Sequence, residues 1–348
     1  MKNKLLLTSA LVSGLVAFGA AQADETKITG DYKLSYKMAS GKDAATAGEQ
    51  GFGQETQINV SKSGELSNGL SYSTGFSFES DGGDSAGATG GTNVVMSGEG
   101  VWLGVTSGDT TVMIAQDKAP NMDTTAVPRV GENASTGAVA QASAYAQNAN
   151  SIYGAFGVAV TQKVAGGALT LNYAPQVGDT GKNNNDNASN NDSKAAYEIL
   201  YKGSLGVEGL TVYAGLNDRD ERQTIGNGTE RSSSTNTAYG AAYNFGNIAI
   251  GFGIVNKEGA TKAIETQTKE VGATLAVSDQ VSVGIGRAET SDEGTSASSS
   301  KDEEVTYIQA GYNLGGVKLQ ASYYDISNGG FTSGNDTEVL LLRAGAAF

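Results

Sequence analysis

The sequence predicts an all-β protein, a transmembrane antiparallel β-barrel of about 16 strands with one loop folded inward. Three observations predict it. Apolar and polar residues alternate with a period of two along nearly the whole chain, the pattern of strands with two unlike faces. The connections alternate between tight turns and long polar loops, as in outer-membrane barrels and not in soluble sandwiches. The composition is wrong for most soluble enzymes: among 348 residues there are 49 Gly, 3 Pro, 1 Trp, no Cys and no His.

The chain opens with Lys2 and Lys4, an apolar run from Leu5 to Ala21, and the small-residue triplet Ala21-Gln22-Ala23. This is the pattern of a secretory signal peptide cleaved before Asp24. The run is shorter than the ~20 apolar residues that cross a bilayer as a helix. Residues 1–23 are therefore expected to be removed, and residues 24–348 to form a single barrel domain. Loss of Lys2 and Lys4 takes the formal charge from −14 to −16, which argues against nucleic acid as a partner. A mean hydropathy of −0.26 is expected where only alternate residues meet lipid.

The first strand sets the pattern. Ile28, Gly30, Tyr32, Leu34, Tyr36 and Met38 fall on one face; Lys27, Thr29, Asp31, Lys33, Ser35 and Lys37 fall on the other. In a barrel the first face meets lipid and the second the lumen. Thr56, Ile58 and Val60 then oppose Glu55, Gln57 and Asn59, and Leu70, Tyr72, Phe76 and Phe78 oppose Ser71, Ser73, Ser77 and Glu79. Further strands are expected at 99–106, 110–116, 151–162, 168–174, 195–202, 210–217, 237–245, 248–255, 268–277, 281–288, 304–314, 317–325 and 337–348. Tight turns are expected at 63–69, 107–109, 163–167, 203–209, 246–247, 278–280 and 315–316. Long polar loops fall at 40–50, 80–98, 175–194, 218–236, 256–267, 289–303 and 326–336. The Asp-bearing loops lack the strict EF-hand pattern.

One segment breaks the rhythm. Residues 117–150 are long, alternate poorly and hold Pro120 and Pro128; proline does not sit inside a continuous ladder. A barrel of this size leaves an aqueous channel that side chains cannot fill. A sieve needs something to narrow it, and 117–150 is the candidate constriction loop.

Strand parity places Lys27, Lys33, Lys37, Lys202 and Arg343 on the polar, lumen-facing side, with Glu55, Glu79, Glu198 and Glu338. The loop carries Asp117, Lys118, Asp123, Arg129 and Glu132. The final strand ends in Phe348, sharing a face with Leu340, Leu342, Ala344 and Ala346. Without His, Ser–His–Asp and Cys–His catalysis is excluded; carboxylate hydrolysis is not excluded by composition. No enzyme, metal or cofactor is expected.

Several motifs resemble those of one family in order and spacing. Ser63-Gly64-Glu65-Leu66-Ser67-Asn68-Gly69-Leu70 resembles its first periplasmic turn. Val112-Met113-Ile114 follows Gly108-Asp109 just before the loop. Asn150-Ser151-Ile152-Tyr153 resembles the start of the strand after it, and Gly311-Tyr312-Asn313-Leu314-Gly315-Gly316 and Phe348 match near the end. The whole mature chain resembles the general-diffusion porins of Gram-negative outer membranes, the alphaproteobacterial members more than the enteric ones.

The resemblance implies a 16-stranded homotrimer with a constriction loop in each barrel, and loop acids facing a basic wall across the lumen. It also implies that Phe348 is the signal read by barrel-assembly machinery, and that lipid and lipopolysaccharide surround the barrel. Members often carry an arginine cluster on the wall and near the loop's end. Here Gln147 and Ala149 precede Asn150, and the arginines are only Arg129, Arg219, Arg222, Arg231, Arg287 and Arg343. The expected function is passive diffusion of small hydrophilic solutes and ions with weak cation preference. A substrate-specific channel and a structural or adhesive surface barrel are the alternatives.

Overall fold

The computed structural model describes residues 26–41, 50–81, 97–122, 127–130, 156–175, 195–225, 228–258, 265–293 and 301–348. The expected leader at 1–23 lies outside them, as do Asp123 and Glu132. Sixteen strands follow in chain order: β1 (Thr26–Gly41), β2 (Gln50–Glu65), β3 (Ser71–Asp81), β4 (Ser97–Ser107), β5 (Thr110–Gln116), β6 (Gly157–Val164), β7 (Gly167–Ala174) and β8 (Ala196–Gly203). The second half is β9 (Leu210–Ile225), β10 (Gly228–Asn244), β11 (Ile248–Glu258), β12 (Glu265–Ala276), β13 (Val281–Asp292), β14 (Glu303–Asn313), β15 (Val317–Ser327) and β16 (Thr337–Ala347). Each pairs with its chain neighbour, and β1 pairs with β16, so the sheet closes into a barrel.

Closure is the physical condition for strands in lipid. An open edge would leave a row of N–H and C=O groups with no water to bond. The seam runs antiparallel from Asp31↔Ala347 to Gly41↔Thr337. Beyond it, Gly30 and Phe348 exchange two backbone hydrogen bonds of 2.9 Å each.

The expected alternation is present around the wall. Ile28, Leu171, Phe252, Ile285 and Ile308 are exposed on the outer face, the side that lipid covers in a membrane barrel. Asn172, Glu198, Asn217, Thr268, Gln309 and Ser322 are buried on the inner face. The short connections also form as expected. Phe245 N donates to Ile248 O at 2.7 Å and Leu314 N to Val317 O at 2.8 Å. Gly246 (φ +88°) and Gly315 (φ +91°) take the backbone sign that two-residue hairpins require.

Four expectations are corrected. Residues 218–236 are not a loop for most of their length: backbone pairing between β9 and β10 continues from Leu216↔Thr237 to Ile225↔Gly228. A ladder outside lipid has no apolar face to show, so alternation fades while the hydrogen bonds persist. The turn expected at 63–69 begins later: β2 runs on to Glu65, and the turn proper is Leu66–Leu70. Glu338 is not lumenal. In β16 it shares parity with exposed Leu342, opposite to Arg343, and it lies beside Tyr323 on the outer face. The strand expected at 151–162 is found at Gly157–Val164, its first five residues lying outside the described set.

Candidate functional site

The inner wall has two unlike halves. Across β7 to β14 the inward positions are small or hydrogen-bonding, and the described parts of the 117–150 segment lie on them. A methyl group added to Gly215 would stand 2.7 Å from Met122 Cγ, on Gly251 2.7 Å from Pro128 Cδ, and on Gly272 2.8 Å from Val127 Cγ1. On Gly311 it would stand 2.8 Å from Val130 Cγ1 and on Gly284 3.0 Å from Val130 Cγ2. Glycine at these inward positions is what lets a second layer of backbone approach the wall.

Polar groups fix the register of that layer. Asn172 Nδ2 donates to Pro120 O at 2.7 Å and Tyr213 Oη to Met122 O at 2.7 Å. Val130 N donates to Gln309 Oε1 at 3.1 Å. Met122 is fully buried among Leu200, Tyr213, Ala238 and Val255. The described residues of the proline-bearing segment, 117–122 and 127–130, therefore lie inside the barrel, against its wall.

Arg129 is the electrostatic anchor. Its guanidinium forms an ion pair with Glu270 of β12, the two side chains being 5% and 0% exposed. Tyr307 Oη donates to Glu270 Oε1 at 2.9 Å, and Arg129 Cζ lies 5.4 Å from the Tyr307 ring centroid. A charge-assisted bond in a buried setting is among the stronger polar contacts, and one partner alone would be costly. The polarity reverses what the resemblance implies at this point: here the cation is on the loop and the acid on the wall. Above the Asn172 contact, Glu198 accepts from Asn172 at 2.9 Å and Asn217 at 3.4 Å, and Asn236 donates to Asn217 at 2.8 Å. These residues share one row of the register across β7 to β10.

From β15 through β1 to β4 the wall carries long polar and charged side chains. Lys33 Nζ lies 2.7 Å from Glu55 and 3.8 Å from Asp31. Arg343 and Glu79 face inward with partial exposure. Lys37 also faces inward and is buried. Asp117 begins the inward segment with φ +56°. The stem of Lys118 lies on Gly100, where a methyl would stand 2.5 Å from Cε. Trp102, the single tryptophan, is also here: it opposes Gly75 and Ala115 in the register and its ring lies across Gly75.

Sequence reasoning placed Lys33 and Glu55 on the same lumen-facing side by parity, and Lys118 and Arg129 on one loop. It missed Glu270, Tyr307, Gln309, Tyr213 and Asn172, and it missed Trp102. A signal was present for the last, since Trp102 alternates with outward Val101 and Leu103. Among the described residues no group of His, Cys, Asp and Glu is arranged to hold a metal ion.

No curated protein matches the sequence. Among solved structures the barrel resembles a loop-deletion form of OmpT, an outer membrane protein of Vibrio cholerae: 14% identity, TM-score 0.64, covering 94% of this chain and 100% of that one. OmpT in its trimer form gives 14% identity and TM-score 0.62, over 94% and 100% of the two chains. A mutant of Rh. blastica porin gives 14% identity and TM-score 0.58, over 93% and 100%. At such identities these likenesses speak for the fold. Residues 8–330 match the family described as Gram-negative porin, and with the closed sixteen-stranded wall in place the chain belongs to that family, as an outer-membrane channel protein.

Proposed function

We propose that this porin is a general-diffusion channel for small hydrophilic solutes and ions, weakly cation-preferring and homotrimeric, and not an enzyme. One observation carries the reading: Pro120, Met122, Arg129 and Val130 are held to inward side chains of β7, β9, β12 and β14. A layer of chain laid inside a wide barrel narrows it, and residues 117–150 are taken as that constriction.

The sign of selectivity is supported by the net charge of −14. Two lumen-side cations, Lys33 and Arg129, are already paired with acids, which lowers their outward field. Crossed charges that order water make apolar solutes costly to pass and leave hydrophilic ones favoured. Small outward residues at the seam, Ala344 and Ala346, suit close approach of a second barrel, and the similar OmpT has been solved as a trimer. Export is taken to remove residues 1–23. Phe348, exposed on the outer face, is taken as the signal for assembly machinery, with lipid and lipopolysaccharide around the wall.

The test is single-channel conductance of the refolded mature protein in a planar bilayer under a salt gradient. Openings in steps of three with a cation-directed reversal potential are expected. Asp117→Asn, which tolerates the positive φ, should weaken that preference. Folded protein that never conducts overturns the channel reading and leaves the surface-barrel alternative. An anion-directed reversal overturns the selectivity alone.

A further inference from the structure

The inner face around Trp102 is unlike the rest of the wall. In the register, Trp102 sits between Gly75 of β3 and Ala115 of β5. Its inward neighbours along β4 are Gly100, under the Lys118 stem, and Gly104, beside Met113 of β5, so its own strand raises no tall side chain next to it. The indole lies across Gly75 and is partly exposed, so it forms a flat aromatic ledge. Ala115, its cross-strand neighbour, stands two residues before Asp117, where the chain turns inward. The ledge is thus at the height at which the lumen begins to narrow.

Several of the surrounding inward side chains are neutral and hydrogen-bonding, with the apolar Met113 on the β5 side. Ser61 shares the row with Gly75 and Trp102, Ser73 pairs with Gly104, and Asn59 pairs with Ser77. Asn59 Nδ2 donates to Gln57 Oε1 at 3.2 Å, which leaves its carbonyl oxygen directed by that bond. The charges near the edge are Lys118, over Gly100, and Glu79, opposite Gln57 in the next row. One formal cation and one formal acid give no net charge to favour an ionic guest, although tryptophan is otherwise a good host for a cation. A pyranose has an apolar C–H face for the indole and a rim of hydroxyls for serines and an amide; a flat ring over an apolar face with polar edges is how mostly apolar sites with few polar groups orient a ligand.

We propose that Trp102, rimmed by Asn59, Ser61 and Ser73, is a weak saccharide-stacking subsite at the entrance to the constriction. The proposal rests on the channel reading above and adds a solute class to it. The subsite slows pyranose sugars relative to solutes of equal size without a stacking face. Weak binding is what a conducting pore requires, since a solute must leave as readily as it enters.

Because the chain has 1 Trp, tryptophan emission excited beyond the tyrosine absorption band reports on this ledge alone. The full mature chain, refolded, is titrated with maltose and maltotriose, with size-matched polyethylene glycol and with tetramethylammonium as comparisons. Ion current is recorded in parallel for wild type, Trp102→Phe and Trp102→Ala. A saturable emission change with sugar, accompanied by sugar-dependent current blockade, is the expected result. The half-saturating concentration for blockade should rise about two- to tenfold in Trp102→Ala, with Trp102→Phe between.

Equal blockade by sugar and polyethylene glycol, unchanged in Trp102→Ala, overturns the subsite, as does saturation by tetramethylammonium and not by sugar. Should Trp102→Ala fail to fold, wild-type emission decides: no saturable sugar response overturns the proposal. Should the wild type not conduct, the channel reading falls, and the emission titration still answers for the ledge.

Discussion

The two halves of the inner wall are made by the same device, alternate residues of antiparallel strands, and put to opposite uses. From β7 to β14 the inward positions are emptied at Gly215, Gly251, Gly272, Gly284 and Gly311 and wired at Asn172, Tyr213, Glu270 and Gln309. That half is a socket. From β15 to β4 the inward positions carry Arg343, Lys33, Glu55, Glu79 and Trp102, and that half faces the passage. The difference teaches that polarity alone does not mark a lumen residue. Glu270 and Glu55 are both inward acids, yet one has 0% side-chain exposure and the other 27%.

The comparison breaks most sharply at Arg129. Arg129→Ala should leave Glu270 buried without its cation, a loss of about 3–5 kcal/mol of docking free energy. The segment should then detach, with faster proteolytic cutting between Asp117 and Val130 and a noisier, larger unit conductance. The pair Arg129→Gln with Glu270→Gln should recover much of the docking in a double-mutant cycle. If cutting and conductance stay as in the wild type, the socket description is wrong.

A smaller effect is expected from filling the socket. Gly272→Leu pushes on Val127 and the Pro128 carbonyl, with an overpacking cost of about 1–3 kcal/mol. Raised conductance without loss of the folded barrel, judged by its resistance to unfolding in detergent, is the expected readout. Tyr213→Phe removes the donor to Met122 O and should cost about 1 kcal/mol, visible as a modest rise in hydrogen exchange around Met122.

On the open half stability should hardly move. The Lys33–Glu55 pair is partly solvated, and pairs of that kind contribute about 0.2–1 kcal/mol. Lys33→Gln should therefore leave unfolding unchanged and shift the reversal potential further toward cations, most at low salt. An unchanged potential would place the selectivity outside this wall.

The strands were legible because lipid imposes a rule on sequence. Leu171, Tyr173, Tyr197 and Ile199 must be apolar where they face out, so their positions can be read in a single pass. Where lipid ends the rule ends: β9 and β10 run on to Ile225 and Gly228 with nothing in the side chains to announce it. Glu338 was misassigned for a related reason. It is polar on the outer face at the rim, where either polarity is tolerated. The inward segment was legible from Pro120 and Pro128, which no strand accepts. Its attachment was not, since an inward glycine such as Gly251 looks in sequence like any other glycine in a strand rich in them. Only the partner, Pro128, more than a hundred residues away, gives it meaning.

The seam between β1 and β16 carries a kinetic consequence. Neighbouring strands join residues from a few to about fifty apart, whereas Gly41↔Thr337 and its neighbours join residues about 300 apart. Bringing such distant partners together costs about 3 kcal/mol more in loop-closure entropy than forming a hairpin, and slow, non-local pairing dominates folding times. Until β16 arrives, β1 and whichever strand has formed last are two unpaired edges on an apolar ribbon, the form of a chain most prone to stack on its own copies. Escort in water up to the moment of closure follows from where the first and last strands meet.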